Sequence, residues 1–202
     1  SEIFKTIYMI QLSKFRKVKN GKSFFITAIW YVINYSIFHS WLPIPSFLKV
    51  GILKVFGAQV GKGVLIKPRV RIKCPWNLIV GNVVWIGEDV WIDNVDLVKI
   101  GNNVCVSQGV LIINGNHNFN SISFDLFTNP IEIGDNSWIT VKSILLPGTI
   151  IEPNTMLKAG SIVSGIFPKK ESLSQKKERA FDHIVDDGTL HLANKLEICV
   201  FS

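Results

Sequence analysis

The sequence predicts a triangular parallel β-solenoid, and three observations carry this prediction. Aliphatic residues recur at every sixth position, glycine follows the aliphatic residue at four regularly placed sites, and a small or β-branched residue is common four positions after it. Six residues accommodate one short strand and one corner, so three such units make a coil of about 18 residues. Between residues 60 and 164 the pattern predicts about five coils.

The aliphatic series restarts three times without losing its period. Two restarts skip two residues at the same point of the cycle, and the third follows a longer interruption. The fifteen positions are Val60, Ile66, Ile72, Val80, Ile86, Ile92, Ile100, Val106, Ile112, Ile133, Ile139, Leu145, Ile151, Leu157 and Val163. In a solenoid each side chain points inward and stacks on its equivalent one coil away. A β-sandwich would instead show alternation with period two, so the period of six argues against it.

Glycine and small residues mark the expected corners. Gly61, Gly81, Gly101 and Gly134 each follow the first aliphatic residue of a coil. Glycine permits the positive φ angles that tight corners require. In the second half of the repeat the small residues are Ser137, Ser143, Thr149, Thr155 and Ser161.

Length and composition predict one folded domain. The chain has 202 residues, of which 48% are hydrophobic and 18% charged, which excludes a disordered chain. Cys74, Cys105 and Cys199 are far apart and form no CxxC pair, so we expect neither a disulfide framework nor a zinc site. A reducing, cytoplasmic compartment fits this cysteine usage.

The charge is concentrated at the N-terminus and indicates an anionic partner. Residues 1–74 contain thirteen Lys or Arg and one acid, whereas residues 75–168 contain three basic and eight acidic side chains. Residues 24–42 are apolar and aromatic, and a basic cluster at residues 14–22 precedes them. This arrangement favours anionic lipid over nucleic acid. We therefore expect a helix in the membrane interface, with peripheral contact through residues 14–48 at the cytoplasmic side.

Two other interpretations of this segment stay open. About 20 apolar residues could span a bilayer. However, Asn34, Ser36 and His39 interrupt the stretch, and Pro43 and Pro45 end it. Alternatively, the segment is a helix buried against the solenoid or against a neighbouring subunit.

The interruption of the repeat, residues 113–131, is the expected place for a site. A polar loop that leaves a rigid solenoid often carries function. It contains His117, the only histidine between residues 60 and 164. A neutral imidazole can accept a proton from a hydroxyl group, whereas a surface histidine without a role is the alternative.

Several ordered motifs resemble bacterial hexapeptide-repeat acetyltransferases over roughly residues 20 to 165. The motifs at 133–139, 145–148 and 159–161 are similar to the second half of galactoside, maltose and serine acetyltransferases. Further motifs resemble the branch that acts in colanic acid, capsule and O-antigen biosynthesis. These are residues 56–58, 75–78, 85–87, 91–94, 107–109 and 116–117.

The resemblance implies a left-handed β-helix and a homotrimer with active sites between neighbouring subunits. It implies an O-acetyltransferase that moves the acetyl group of acetyl-CoA to a sugar hydroxyl in surface polysaccharide biosynthesis. His117 matches the catalytic base, and neither a metal nor a covalent acyl-enzyme is implied.

The resemblance also suggests the residues that bind the two substrates. Trp138 matches a site-lining tryptophan, and we expect contact with both acceptor and cofactor; packing at a corner is its alternative. Asp93, Asn94 and Asn116 are expected acceptor contacts, although Asp-Asn also suits a corner turn. Ala159 and Gly160 match the strip along which the pantetheine arm of CoA runs, with core packing as the alternative.

The C-terminal tail departs from the family pattern. We divide the chain into an N-terminal helical region (1–55), the solenoid domain (56–168) and an atypical tail (169–202). The family's Gly-Asn-Pro-Ala string is absent from that tail. A catalytically impaired solenoid that acts as a membrane-associated scaffold is therefore the alternative function. A γ-class carbonic anhydrase needs three histidine ligands, and His117 alone is suitably placed.

Overall fold

The main body of the computed structural model, which describes residues 12–15, 21–118 and 121–168, is a parallel β-solenoid. Fifteen of the strands in these residues form three parallel sheets, which contain six, four and five strands. We call them face A, face B and face C, in the order in which the chain visits them. Successive coils contribute one strand to each face, except that the coil of β15 and β16 reaches face B through an isolated bridge between Trp138 and Met156, so the predicted solenoid is confirmed.

The strands are two or three residues long. Face A contains β1 (Gln59–Val60), β4 (Leu78–Val80), β7 (Val98–Ile100), β12 (Ile131–Ile133), β15 (Ile150–Ile151) and β17 (Ile166–Phe167). Face B contains β2 (Leu65–Ile66), β5 (Trp85–Ile86), β8 (Cys105–Val106) and β13 (Trp138–Ile139). Face C contains β3 (Arg71–Ile72), β6 (Trp91–Asp93), β9 (Leu111–Ile113), β14 (Ile144–Leu145) and β16 (Ile162–Val163).

The core consists of the side chains that the repeat predicts. All fifteen aliphatic positions are buried, and equivalent residues pair in register, as in Ile72 with Ile92. Most residues four positions later on faces A and B are buried as well, including Val64, Val84, Val104 and Thr155. Burial of one aliphatic residue contributes about 1.5–3 kcal/mol, and the stack repeats this gain in every coil.

The two skipped residues of the repeat lie at the corner between faces C and A. In the first coil a 3-10 turn, Pro75–Asn77, occupies this corner. The long interruption after Ile112 leaves the solenoid at the same corner, between β9 and β12. The excursion that carries His117 is therefore an enlarged version of a corner that is already wide in the earlier coils.

Two helices precede the first coil. α1 (Phe24–Ile33) begins after Ser23, whose side chain accepts a hydrogen bond from the amide of Ile26, and it continues as a π-helical turn, Asn34–Phe38. α2 (Ser46–Val55) follows a linker that contains two prolines, which cannot continue a helix. A short 3-10 turn, Leu12–Lys14, lies upstream.

These helices cover the open edge of the first coil. An exposed strand edge presents unpaired N–H and C=O groups, so it needs a partner. Trp30 Nε1 donates to the carbonyl of Ile72 at 2.8 Å, and Asn34 Oδ1 accepts from the amide of the same residue at 3.2 Å. From α2, Lys49 Nζ donates to the carbonyls of Ile66 and Lys67 at 3.3 and 3.0 Å. Burial lowers the pKa of Lys49.

The N-terminal apolar segment thus packs on the solenoid, although with one side only. Trp30, Asn34 and Phe38 face the first coil and are buried, as the packing alternative requires. The opposite side of α1, including Phe24 and Phe25, is exposed. No helix in the described part of the chain is long and apolar enough to cross a membrane.

Candidate active site

The excursion that carries His117 is a β-hairpin, whereas the sequence suggests an irregular loop. β10 (Gly115–His117) pairs antiparallel with β11 (Leu126–Thr128), and His117 lies opposite Leu126. Because the strands are short and the tip is polar, period-two alternation does not reveal them in the sequence. The hairpin fixes the backbone at His117 more firmly than a loop would.

Polar contacts hold both ends of this hairpin. At the base, Thr128 Oγ1 donates to Asp96 Oδ2 at 2.9 Å. At the tip, the hydroxyls of Ser121 and Ser123 both donate to Asp125 Oδ2, at 2.7 and 2.8 Å. The carboxylate of Asp125 therefore stabilises the turn that leads into β11, and with it the position of Phe124, which precedes Asp125.

The imidazole of His117 is held in one tautomer. Its Nδ1 lies 2.8 Å from the carbonyl oxygen of Phe124. A carbonyl oxygen can only accept, so Nδ1 carries the proton and Nε2 of the neutral ring has a free lone pair. This arrangement is the one that a general base acting through Nε2 requires.

Two aromatic rings fix the plane of the same imidazole. The ring of Phe124 stacks on His117 with centroids 4.3 Å apart and an angle of 2°. Phe15, from the segment before α1, contacts it with a centroid distance of 5.3 Å and a tilt of 60°. Phe124 has a φ of 51°, which is uncommon for a residue other than glycine. Such strain is characteristic of sites whose surroundings impose the conformation.

A polar hollow opens beside the imidazole. Ser13, Lys14 and Phe15 line one side of it, and Ser123 and Asp125 line the other. Its volume is about 580 Å³. Hydroxyl, ammonium and carboxylate groups together with an aromatic ring suit a sugar, which offers both polar and apolar surfaces.

The predicted acceptor residues differ in what their side chains can reach. Asp93 ends β6 and pairs in register with Ile113, directly below the base of the hairpin, and it forms an ion pair with Lys73 at 2.6 Å. Asn116 is exposed, and its Oδ1 accepts from the amide of His117 at 2.8 Å.

Asn94 does not fit the expected contact with the acceptor. Its side chain is fully buried within its own chain. The amide accepts from the backbone N–H of Cys74 at 3.0 Å and donates to the carbonyls of Cys74 and Asn77 at 2.6 and 3.2 Å. Asn94 therefore shapes the corner between faces C and A, which is the alternative that its sequence context allows.

The residues predicted to contact the cofactor lie elsewhere on the solenoid. Trp138 is on the outer side of face B, 44% exposed, and its Nε1 donates to Ser107 Oγ at 2.8 Å. Ala159 and Gly160 form the exposed corner between faces B and C in the last complete coil, so core packing is excluded for them. Gly160 has a φ of 69°, and a Cβ added there would meet no atom within 4 Å.

The residues predicted for the site lie in two separate places within one chain. The hairpin leaves the corner between faces C and A, whereas Trp138 belongs to face B, which does not touch that corner. Face C separates His117 from the corner formed by Ala159 and Gly160. One chain therefore brings together His117, Asn116 and the hollow, with Asp93 one coil below the strand that leads into the hairpin, but not the predicted cofactor residues.

The sequence does not identify Phe15, Phe124 or Asp125 as part of this site. Phe124 acts through its backbone conformation and carbonyl, which leave no signature in residue type. Phe15 is distant in sequence from His117 and lies in a basic stretch that suggests a different role. The clustering of Ser121, Ser123 and Asp125 is the one local signal, since these residues favour turns.

Comparison with known proteins places this arrangement in a family. No family model matches the chain. The colanic acid biosynthesis acetyltransferase WcaF of Escherichia coli (strain K12) is 32% identical over 141 residues, which cover 69% of this chain and 77% of that protein. Galactoside acetyltransferase in complex with coenzyme A matches with a TM-score of 0.64 and 25% identity over 71% of this chain and 73% of the other.

A third comparison supports the fold. The hexapeptide-repeat acetyltransferase VCA0836 of Vibrio cholerae, complexed with acetyl coenzyme A, matches with a TM-score of 0.68 over 80% of this chain and 87% of the other, at 15% identity. The repeat, the buried ladder and the similarity to WcaF over two thirds of the chain agree with one another. The chain therefore belongs to the hexapeptide-repeat acetyltransferases.

Proposed function

We propose that this protein transfers the acetyl group of acetyl-CoA to a sugar hydroxyl during surface polysaccharide biosynthesis, with His117 as the general base. The observation that carries the proposal is the hydrogen bond between His117 Nδ1 and the carbonyl of Phe124, which leaves Nε2 free. The polar hollow beside the ring has room for a sugar. The similarity to WcaF supports colanic acid biosynthesis as the pathway class, and the motif resemblance extends this class to capsule and O-antigen.

The reaction is a direct transfer. Nε2 of His117 takes the proton of the acceptor hydroxyl as its oxygen attacks the thioester carbonyl. The C–O bond forms, the C–S bond of the tetrahedral intermediate breaks, and the proton passes from the imidazolium to the sulfur of CoA. A backbone N–H stabilises the oxyanion of the intermediate. The carbonyl of Phe124 accepts the hydrogen bond from Nδ1–H throughout and so stabilises the imidazolium that forms.

The acceptor contacts His117 in the hollow between the hairpin and residues 13–15. Lys14 and Asp125 supply charged groups at its wall, and Asn116, next to His117 in β10, and Asp93 are the further residues that we propose for acceptor binding. Because the wall offers both hydrogen-bond donors and hydrogen-bond acceptors, it can bind several hydroxyls of one sugar. The acyl donor, acetyl-CoA, lies along Trp138, Ala159 and Gly160. Gly160 has no side chain and lies at an exposed corner, so the pantetheine arm can approach the backbone closely.

A homotrimer completes the site. Because His117 and Trp138 lie at opposite parts of one solenoid, they meet only if the corner between faces C and A of one subunit approaches face B of its neighbour. The outward residues of faces B and C support such contacts, since they include exposed Trp85, Trp91, Trp138 and Ile162. The outer side of face A is mixed, since it carries the Lys99–Glu132 ion pair as well as exposed Ile150 and Ile166.

We place the enzyme in the cytoplasm, peripherally on the inner face of the membrane. Acetyl-CoA is available in that compartment, and sugar acceptors for surface polysaccharides are nucleotide-linked or lipid-linked there. The basic N-terminal region supports attraction to an anionic leaflet.

Release of CoA from acetyl-CoA in the presence of nucleotide-linked or lipid-linked sugars tests the proposal. His117→Ala should lower kcat by about 10² to 10⁴, the usual contribution of a general base. His39→Ala is the matched control, because His39 lies in the N-terminal helical region, and it should retain activity. Near-normal turnover by His117→Ala would remove His117 from the mechanism.

Binding of CoA separates the enzyme from the scaffold alternative. Isothermal titration with CoA should give saturable binding, and Trp138→Ala should weaken it. A chain that binds no CoA and releases none with any acceptor would favour the impaired scaffold.

A further inference from the structure

We infer that the outer side of the two N-terminal helices is a docking surface for an anionic lipid membrane. We call it the outer cap surface and define it by Phe24, Phe25, Ile29 and Val32 of α1 and by Phe47 and Leu48 of α2. The inference rests on the proposed location of the enzyme at the inner face of the membrane, and it assigns that contact to specific side chains.

The first step concerns the direction in which the helices face. Both helices use one side to bind the edge of the first coil, α1 through Trp30 and Asn34 and α2 through Ser46 and Lys49. The opposite sides therefore point away from the solenoid. They are apolar although they are exposed: Phe24 is 80%, Phe25 75% and Phe47 72% accessible. Solenoid packing alone does not require aromatic residues at these positions.

A groove connects the two helices. Ile33 of α1 and Phe47, Leu48, Ile52 and Val55 of α2 line it with apolar side chains, and its volume is about 340 Å³. A groove of this kind can accept part of an acyl chain when the helices lie at the depth of the glycerol region. Neither helix is long enough to span the bilayer, which fits an orientation in the plane of the interface.

The charges around the outer cap surface identify the class of membrane. The sequence contains no acidic residue from position 3 to position 87. Lys22, just before α1, and Lys54, near the end of α2, are exposed, whereas Lys49 turns inward to the first coil. Apolar rings bordered by cations suit a surface of anionic headgroups above acyl chains. Repulsion from acidic lipid would be expected if carboxylates bordered the same rings.

The test is sedimentation of the full-length protein with vesicles of phosphatidylcholine, with and without phosphatidylglycerol. We expect binding to the vesicles that contain phosphatidylglycerol, and this binding should weaken as salt is added. The double substitution Phe24→Ser, Phe25→Ser should reduce the apparent affinity by about tenfold or more. Lys22→Ala combined with Lys54→Ala should reduce the preference for phosphatidylglycerol.

A matched control uses apolar residues at the surface of face A. Ile150→Ser with Ile166→Ser removes exposed aliphatic side chains far from the helices and should leave vesicle binding unchanged. CoA release with a water-soluble acceptor should also be unchanged by Phe24→Ser, Phe25→Ser. This second readout separates failure of the membrane contact from failure of the acetyl transfer itself.

Three results would overturn the inference. The first is absence of binding to either kind of vesicle. The second is wild-type binding by the Phe24→Ser, Phe25→Ser variant. The third is a change in the mass of the oligomer on the same substitution, measured by sedimentation velocity, since it would show that the outer cap surface joins protein copies.

Discussion

His117 Nδ1 and the carbonyl oxygen of Phe124 lie 2.8 Å apart, and the two rings stack in parallel above this contact. One residue therefore fixes both the tautomer and the plane of the imidazole. Its backbone has a positive φ, and its carbonyl points to His117 in β10. In many hydrolases a carboxylate orients the histidine, whereas here a neutral carbonyl occupies that place and adds no charge.

Two substitutions of Phe124 distinguish the contribution of its ring from that of its backbone conformation. Phe124→Ala and Phe124→Gly both remove the stacking, and we expect kcat to fall by about tenfold to a hundredfold because the imidazole gains freedom. Glycine tolerates a positive φ, whereas alanine keeps the strain of about 1–2 kcal/mol. The glycine variant should therefore unfold at the same temperature as the alanine variant or higher.

Steady-state kinetics and thermal unfolding of both variants check this prediction. Ile122→Ala is the control, since Ile122 is exposed at the tip of the hairpin. Full kcat in both Phe124 variants would show that the ring does not position His117.

The hydrogen bond from Trp30 to the carbonyl of Ile72 should contribute measurably to stability. Trp30→Phe keeps most of the packing against Phe38 but leaves a buried carbonyl without its donor, which costs about 1–3 kcal/mol. Trp30→Ala also creates a cavity, with a total loss of about 3–5 kcal/mol. Trp41→Phe, at an exposed tryptophan, should change the free energy of unfolding by less than about 0.5 kcal/mol. Equilibrium unfolding in urea measures all three, and equal values for Trp30→Phe and Trp41→Phe would contradict the role given to the bond.

Replacement of Gly134 and of Gly51 by alanine should change the stability of the fold in opposite directions. A Cβ on Gly134 would lie 2.5 Å from the backbone nitrogen of Pro153, one coil away, so Gly134→Ala should destabilise the solenoid by about 1–3 kcal/mol. Gly51 lies inside α2 with no atom within 4 Å of the added Cβ. Gly51→Ala should stabilise by about 0.5–1 kcal/mol, because alanine is the better helix former. Thermal unfolding of the two variants should shift Tm in opposite directions, and a shared direction would be inconsistent with this account.

The hydrogen bond that the carboxylate of Asp135 accepts should stabilise the fold at neutral pH and lose this effect in strong acid. This carboxylate accepts the backbone N–H of Asn102 at 2.7 Å, and this bond holds the pKa of Asp135 below its ordinary value. Because the folded pKa is the lower one, the stabilisation is present above the unfolded value of about 3.9 and is lost as the pH falls through the folded value. Asp135→Asn keeps an acceptor oxygen without this titration. The difference in Tm between the two proteins should therefore be constant from neutral pH to about pH 5 and change below about pH 4. A difference independent of pH would contradict it.

The periodicity of aliphatic residues predicts the core because each coil repeats the same burial requirement, and Ile72, Ile92 and Ile112 stack as that requirement demands. The site is less accessible to such reasoning. His117 can be found in the sequence because it lies where the repeat is interrupted. Phe124 contributes its backbone carbonyl, which does not depend on residue type. Asn94 is a polar residue at a corner, and the sequence alone does not tell whether such a residue binds a ligand or holds the corner. The N-terminal helices show the same limit, since one apolar segment serves the first coil with one side and leaves the other exposed.

The separation of His117 from Trp138 in one chain makes a prediction about mixed oligomers. If each site combines His117 of one subunit with Trp138 of the next, His117→Ala and Trp138→Ala homo-oligomers are both impaired at every site. In a mixed ring some interfaces combine a wild-type His117 from one subunit with a wild-type Trp138 from its neighbour. With equal amounts of the two variants assembled at random, about a quarter of all sites should regain both residues, counting the homo-oligomers, which regain none.

Co-expression of the two variants with different affinity tags, followed by purification through both tags, provides the mixed oligomers. CoA release per subunit should rise above that of either variant alone, toward about a third of wild type, because each trimer that contains both variants has one intact site among its three and the intact sites act independently. A chain that carries both substitutions, mixed with wild type in the same way, is the control for subunit exchange. If the mixed oligomers are no more active than the parents, each site uses residues of one subunit only. Trp138 would then act through face B packing rather than beside the imidazole of a neighbour.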